Sequence, residues 1–559
     1  MIKTGNLGNS PLFLAALMLF GLTTDAQTKK EIFSFSHLPQ VKQTQFKNDT
    51  LSIVKFGAKS DGVTLNTKSI NDAITASSKS GGGVVVIPEG LWLSGPIVLK
   101  SNVNLHLKKN ALLQFTKDFN QYKLVKGDWE GIPQMRNQSP ISADHAENIA
   151  VTGYGIIDGN GDAWRMVKRD KLTESQWKKL VASGGSVNAE NKMWYPSEKT
   201  VKGAQLKNPG AIEAGKDAAF YESVKDYLRP NLVVLTNCKR ILLEGVTFQN
   251  SPAWNLHPLM SEDIVVRNVY VKNPWYAQNG DGIDLESCKN VLIEGSTFDV
   301  GDDGICIKSG RDAAGRKRGM PTENVIIRNS TVYHAHGGFV IGSEMSGGAK
   351  NIFISDCSFI GTDIGLRFKT TRGRGGVVES IHAKNIVMKD IVGEAILFDM
   401  YYMAKDPIAL IGEQRDAPKV KLLPVTEETP VFRDFHISNI VCDGASKAVF
   451  IRGLPEMSIS DIYLDNIVIQ SKEGIDIQEA KNVQLSHVKV ITNPALPFIN
   501  IQNGKEIKFS QLEYGKTDLF FKIGGDRNSE ISISGTDLSA AQKQSQFNAG
   551  ASAKVLTIK

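Results

Sequence analysis

The chain has 559 residues, 41% of them hydrophobic and 22% charged, with a formal net charge of +6. This balance excludes a disordered chain and a bundle of membrane helices, and the length does not count domains, because repeat folds run long as single units. The 51 glycines follow no short period, which suits many short strands joined by turns better than long helices.

Residues 1–26 read as a signal peptide: Lys3 in a polar start, an apolar run from Leu12 to Leu22, and a small residue, Ala26, at the cleavage position. The run is shorter than the roughly 20 residues a membrane span needs. The expectation is therefore an exported protein, periplasmic or secreted, with no membrane span. Losing this segment removes Lys3 and Asp25 together, so the remainder keeps its net charge. A basic exported chain attracts acidic partners, and an acidic polysaccharide is expected rather than nucleic acid, for which no binding motif is present. Cys238, Cys288, Cys306, Cys357 and Cys442 are odd in number and unpaired in spacing, so they read as buried core residues rather than a disulfide or zinc framework.

After a lead-in at 27–50, the apolar spacing of Thr67 to Ala76 predicts a helix closing one end of the core that follows. The stretch from Trp164 to Tyr227, at about 164–227, is rich in Lys, Gly and Trp and reads as an insertion. Beyond it one phrase recurs, starting at Arg240, Asp263, Asn290, Asn324, Asn351 and Asn385, with fainter copies at Asp461 and Asn482. Each copy has a polar start, alternating β-branched residues, a turn and a further short strand. Bounded, irregular spacing of this kind marks a solenoid whose coils keep their strands and vary their loops. A β-sandwich also has many short strands but no reason to repeat one phrase at coil length. The expected fold is all-β, a single-stranded right-handed parallel β-helix over 51–559.

Asp281 is followed one short coil later by Asp302 and Asp303, within Gly301-Asp302-Asp303-Gly304. Stacked strands lie about 4.8 Å apart, so these acids can face one groove. Asp302 and Asp303 would point to opposite faces of a regular strand, and the flanking glycines permit a turn that presents both. Clustered carboxylates repel, which should raise at least one pKa and leave an acid beside a base. Taken alone, such a motif is more often a turn or a calcium loop. His336 lies one coil on, and Arg367 and Lys369 one coil beyond that, two residues apart and so on one strand face. Such a pair suits a sugar carboxylate.

Asn279-Gly280-Asp281, Gly301-Asp302-Asp303, Ala335-His336-Gly337 and Arg367-Phe368-Lys369 resemble, in order, the Asn-Thr-Asp, Gly-Asp-Asp, Gly-His-Gly and Arg-Ile-Lys motifs of glycoside hydrolase family 28, the polygalacturonases. Gly280, Ala335 and Phe368 depart from the pattern without removing a charge. The resemblance implies a pectin-lyase-like β-helix that cleaves α-1,4-linked galacturonic acid in pectin with inversion. Asp302 would be the general acid, Asp281 and Asp303 would activate water, His336 would support the acid, and Asn279, Arg367 and Lys369 would bind substrate. His257 and Tyr402 are further pocket candidates, for which packing is the ordinary role. The inverting reaction implies an acid and base roughly 6.5–9.5 Å apart. No metal or cofactor is implied, and a monomer is expected. A rhamnogalacturonan hydrolase, a calcium-dependent pectate lyase and a non-catalytic glycan-binding solenoid stay open as alternatives. Finally, the insertion and the basic loop from Gly310 to Pro321, with Arg311, Arg316, Lys317 and Arg318, are expected to wall off one end of the groove, which would make the enzyme exo-acting.

Overall fold

The computed structural model describes residues 33–402 and 422–559; the proposed signal peptide lies outside them. The chain winds into a right-handed parallel β-helix. Three ladders of parallel strands run along it. The first stacks Ile141–Asp144, Val233–Thr236, Leu256–Leu259, Ile283–Glu286, Ile305–Lys308, Phe339–Ile341 and Leu366–Lys369. Another contains Lys239–Glu244, Glu262–Arg267, Lys289–Glu294, Thr322–Arg328 and Ala349–Ile360, and the third Thr247–Gln249, Tyr270–Lys272, Thr297–Asp299 and Thr331–Tyr333.

The alternation within each strand explains the core. In Ile283–Glu286 and Ile305–Lys308, Ile283, Leu285, Ile305 and Ile307 enter one continuous apolar column. Asp284, Glu286, Cys306 and Lys308 face the other way. All five cysteines are free and buried, as their scattered spacing implies. The helix Thr67–Lys79 buries Ile70, Ala73 and Ile74 against the first coils and covers that end of the column.

The recurring polar residue that opens each phrase has a backbone cause. Asp263, Asn290, Asn324 and Asn351 all adopt φ between 55° and 59°, the left-handed region that Asn and Asp tolerate best. Their side chains then stack: Asn324 Nδ2 donates to Asn290 Oδ1 at 3.0 Å and Asn351 Nδ2 to Asn324 Oδ1 at 3.0 Å. One phrase start needs correction. Ser380, not Asn385, occupies the place equivalent to Asn351, since Lys350 pairs with Glu379 and Ile352 with Ile381. Asn385 instead bonds Asp356 Oδ1 at 2.9 Å. Each coil has two left-handed corners five residues apart, and both favour the same polar residue types, so spacing within a single coil does not tell one corner from the other.

The lead-in is a strap across the outside of the helix, where Leu38 and Val41 pack on Val265, Leu292 and Ile326. The insertion forms a small satellite in which Trp177 and Trp194 share a core with Val167, while Trp164 packs instead against Phe119 and Tyr122. Among the described residues, no helix is long and apolar enough to cross a membrane.

Candidate active site

The strands of the first ladder present their outward residues in register, and the three acids lie where the chain enters two of them. Asn255 N donates to Asp281 O at 2.9 Å, and Gly282 N to Asp303 O at 2.9 Å, so Asp281 and Asp303 sit one above the other on adjacent coils. The Gly301-to-Gly304 turn presents Asp302 beside Asp303. Its glycines are required by close packing: a Cβ on Gly301 would lie 2.6 Å from Pro274 O, and one on Gly304 2.4 Å from Val332 Cγ1. Carboxylate oxygens of Asp281, Asp302 and Asp303 come within 4.8 Å of one another. By this measure the acids sit closer than the roughly 6.5–9.5 Å separation expected for an inverting pair, because adjacent coils, and adjacent residues within one coil, supply them.

The three acids differ in surroundings. Asp303 is buried, and burial by itself pushes its carboxyl up; Lys369, Arg367 and Lys308 outweigh that and hold it far below the usual carboxylate range. Lys369 Nζ is 2.7 Å from its Oδ2 and Arg367 NH1 3.3 Å from its Oδ1. Asp281 is raised well above that range by burial, then by Asp284 and Asp302, and its Oδ1 has no hydrogen-bond partner. Asp302 is the most exposed of the three, at 21% of its side chain. Its oxygens accept from Asn279 N at 3.1 Å and Asp303 N at 3.0 Å, and its Oδ1 lies 3.0 Å from His336 Nδ1. That bond raises the His336 pKa. Raised Asp281 and depressed Asp303 thus differ from each other, although the resemblance places both on the water side.

The other candidates separate. Asn279 reaches Asp302 through its backbone N–H, at φ 53°, while its side-chain oxygen accepts from Arg229 at 2.9 Å. Arg367 and Lys369 are engaged as counterions of Asp303 rather than standing free for a sugar, with Tyr402 5.8 Å and 5.0 Å away. The buried Arg367 Nε has no partner. His257 is fully enclosed between Glu286, at 3.0 Å, and Asn231, at 3.1 Å, and packs against Trp254; its place is in the wall beside the site. The carboxylate cluster has the size of a cation site, but two cations already neutralise Asp303 and His336 engages Asp302.

The pattern-based reading missed a charged layer under the acids. Lys308 Nζ lies 3.5 Å from Asp284 Oδ1 and 3.0 Å from Glu344 Oε2, and Asp284 accepts no hydrogen bond. The signal was present: Asp284, Glu286 and Lys308 are charged residues at outward positions of strands in which every side chain is buried.

An element the sequence did not single out stands beside the site on the upstream coils. The antiparallel hairpin of Leu124–Trp129 and Ile132–Asn137 lies over the upstream coils, with Trp129 stacked on Trp254 at 5.7 Å. The 310–321 loop clamps its tip: Arg311 N donates to Gly131 O at 3.1 Å, Arg311 pairs with Glu130 at 3.2 Å, and Arg318 bridges Asp128 at 2.7 Å and Glu286 at 2.5 Å. A Cβ on Gly131, at φ 76°, would lie 2.7 Å from Arg311 N. The insertion stands behind, through Met135 N to Gly210 O at 2.8 Å and the packing of Tyr221 and Leu228 near Leu124 and Met135. Loop and insertion thus both pack against this hairpin. Arg311, Arg316 and Arg318 pair with protein carboxylates.

Residues 179–428 match the family model described as "Glycosyl hydrolases family 28", and residues 50–192 one described as "Rhamnogalacturonase A/epimerase, pectate lyase-like". The chain is 31% identical to an exopolygalacturonase from Thermotoga maritima, whose crystal structure superposes with a TM-score of 0.60 over 83% of this chain and 93% of that one. A Vitis vinifera protein named "Probable polygalacturonase" is 29% identical over 428 residues, 75% of this chain and 74% of its own. A Yersinia enterocolitica family 28 exopolygalacturonase, 22% identical, shares the fold with a TM-score of 0.63, over 84% of this chain and 78% of its own.

Proposed function

From the premise that the chain belongs to glycosyl hydrolase family 28, we infer that it hydrolyses α-1,4-linked galacturonic acid in pectin by acid–base catalysis with inversion, from the non-reducing end. The observation that carries this reading is the gathering of Asp281, Asp302 and Asp303 on adjacent coils, with Asp303 held ionised by Lys369 and Arg367.

Asp302 is the acid that reaches the groove, and the proton it delivers to the leaving glycosidic oxygen is held by the Asp302–His336 pair. Asp303, ionised, accepts a proton from the attacking water, with Asp281 completing the water's site. The 18% of the Arg367 side chain that stays exposed beside its contact with Asp303 meets the sugar carboxylate, a charge-assisted bond that an uncharged sugar does not form. The hairpin, read as a wall upstream of the acids, supports exo action, since a polymer cannot lie across a groove closed there. Export is proposed from the leader at 1–26, and its cleavage is checked by sequencing the N-terminus of the exported protein.

The deciding experiment is a product profile on polygalacturonan and its oligomers, with rhamnogalacturonan alongside. Monogalacturonate from the first minutes, with little fall in viscosity, is expected. An unsaturated, calcium-dependent product, or preference for rhamnogalacturonan, would replace this reading.

A further inference from the structure

Behind the hairpin is a second cavity of about 730 Å³, within the roughly 300–1,000 Å³ range of small-molecule sites. Its floor is the outward face of the upstream coils, with Ser142, Val234 and His257 in register, and the hairpin strands form its roof. None of Asp281, Asp302, Asp303, His336, Arg367 and Lys369 lines it. The layer between is aromatic: the Arg136 guanidinium lies 3.7 Å from the centre of the Trp129 ring, which stacks on Trp254 next to Asn255 and the Asp281 backbone.

The charges around this cavity are not all paired. Arg318 is compensated by Asp128 and Glu286, and Asp144 lies 2.8 Å from His145. Arg136 is 7% exposed, bonds only a backbone carbonyl, Arg229 O, and has no carboxylate in ion-pair range among the described residues. Lys126 on the same lining is exposed and also unpaired. Burial, with Arg229 adjacent, lowers the Arg136 pKa to about 9. A buried guanidinium without a counterion is costly, and an anion removes that cost. Polar acceptors complete the lining: Asn231 is 5% exposed and its Oδ1 has no partner, and neither has Asp128 Oδ1. Both suit the hydroxyls of a sugar.

We propose that this cavity is a second binding site, distinct from the acids, for a short uronic-acid saccharide whose carboxylate pairs with Arg136 and whose hydroxyls are met by Asn231 and Asp128. The site rests on the reading of the chain as a galacturonan hydrolase, and would hold released or neighbouring acidic saccharide against the outside of the wall.

Titration calorimetry of the full chain carrying Asp302→Asn, with digalacturonate as probe, tests it. Two sites per chain are expected. Val234→Trp, which fills the floor and leaves Arg136 in place, should reduce them to one, and Arg136→Gln should weaken the second site by at least about tenfold. Neutral galactobiose should not fill it. Thermal unfolding checks that each variant is folded. One site, untouched by Val234→Trp, overturns the second site and leaves the hydrolase reading standing. One site that Val234→Trp abolishes supports the second site and removes the hydrolase reading. No binding overturns both.

Discussion

Lys369 Nζ lies 2.7 Å from Asp303 Oδ2, both side chains almost fully buried. Strand register brings them together, since Arg367 is paired through Val340 to Cys306, placing Lys369 and Arg367 over the turn that carries Asp303. The depressed Asp303 carboxyl contributes stability above its unfolded pKa of about 3.9, and that contribution is lost as pH falls through its lower folded value. Lys369→Met should therefore move the acid limb of kcat/KM to higher pH and cost about 3–5 kcal/mol of stability. A limb that stays in place would remove Asp303 from the role of base.

His336 behaves with the opposite sign. Its hydrogen bond to Asp302 raises its pKa, so its contribution to stability is complete below the unfolded value of about 6.5 and is lost as pH rises through the higher folded value. His336→Asn is expected to lower kcat at least about tenfold and to draw the alkaline limb of the kcat profile to lower pH. Loss of kcat with the limb unmoved would mean that His336 only packs.

Asp302→Asn should reduce turnover by about 10²–10⁴-fold with a melting temperature close to that of the parent. Near-normal turnover would show that the proton comes from elsewhere, and the raised carboxyl of Asp281 would then be the group to test.

The hairpin is the wall in the exo reading, so shortening it across Asp128 to Pro133 with a two-residue turn should convert end attack towards internal attack. Viscosity loss per bond cleaved should rise severalfold over the parent. Continued release of monomer alone from the shortened protein would place the barrier in another element.

Nuclear magnetic resonance of the first product gives the stereochemical outcome. The β-anomer should appear first if water attacks opposite the leaving group, even though the acids' oxygens approach within 4.8 Å. The α-anomer first would indicate a covalent intermediate and a different division of labour.

The sequence by itself determined the coil and which carboxylates its stacking would gather. An asparagine at a left-handed corner and alternating apolar residues are local requirements, so they are written into each repeat and can be read one at a time. Asp281, Asp302, Asp303 and His336 were legible because one coil separates neighbouring motifs, and stacking brings such residues together. Only the tertiary structure decided what depends on contacts between distant segments. It turned Arg367 and Lys369 onto Asp303, and it set Lys308 between Asp284 and Glu344. It also folded the hairpin over Trp254 and clamped it with Arg311 and Arg318, about 180–190 residues away in the chain. A loop's sequence sets how far it reaches, but the surface it closes on is built by other coils; the wall and the cavity behind it therefore exist only once the helix is wound.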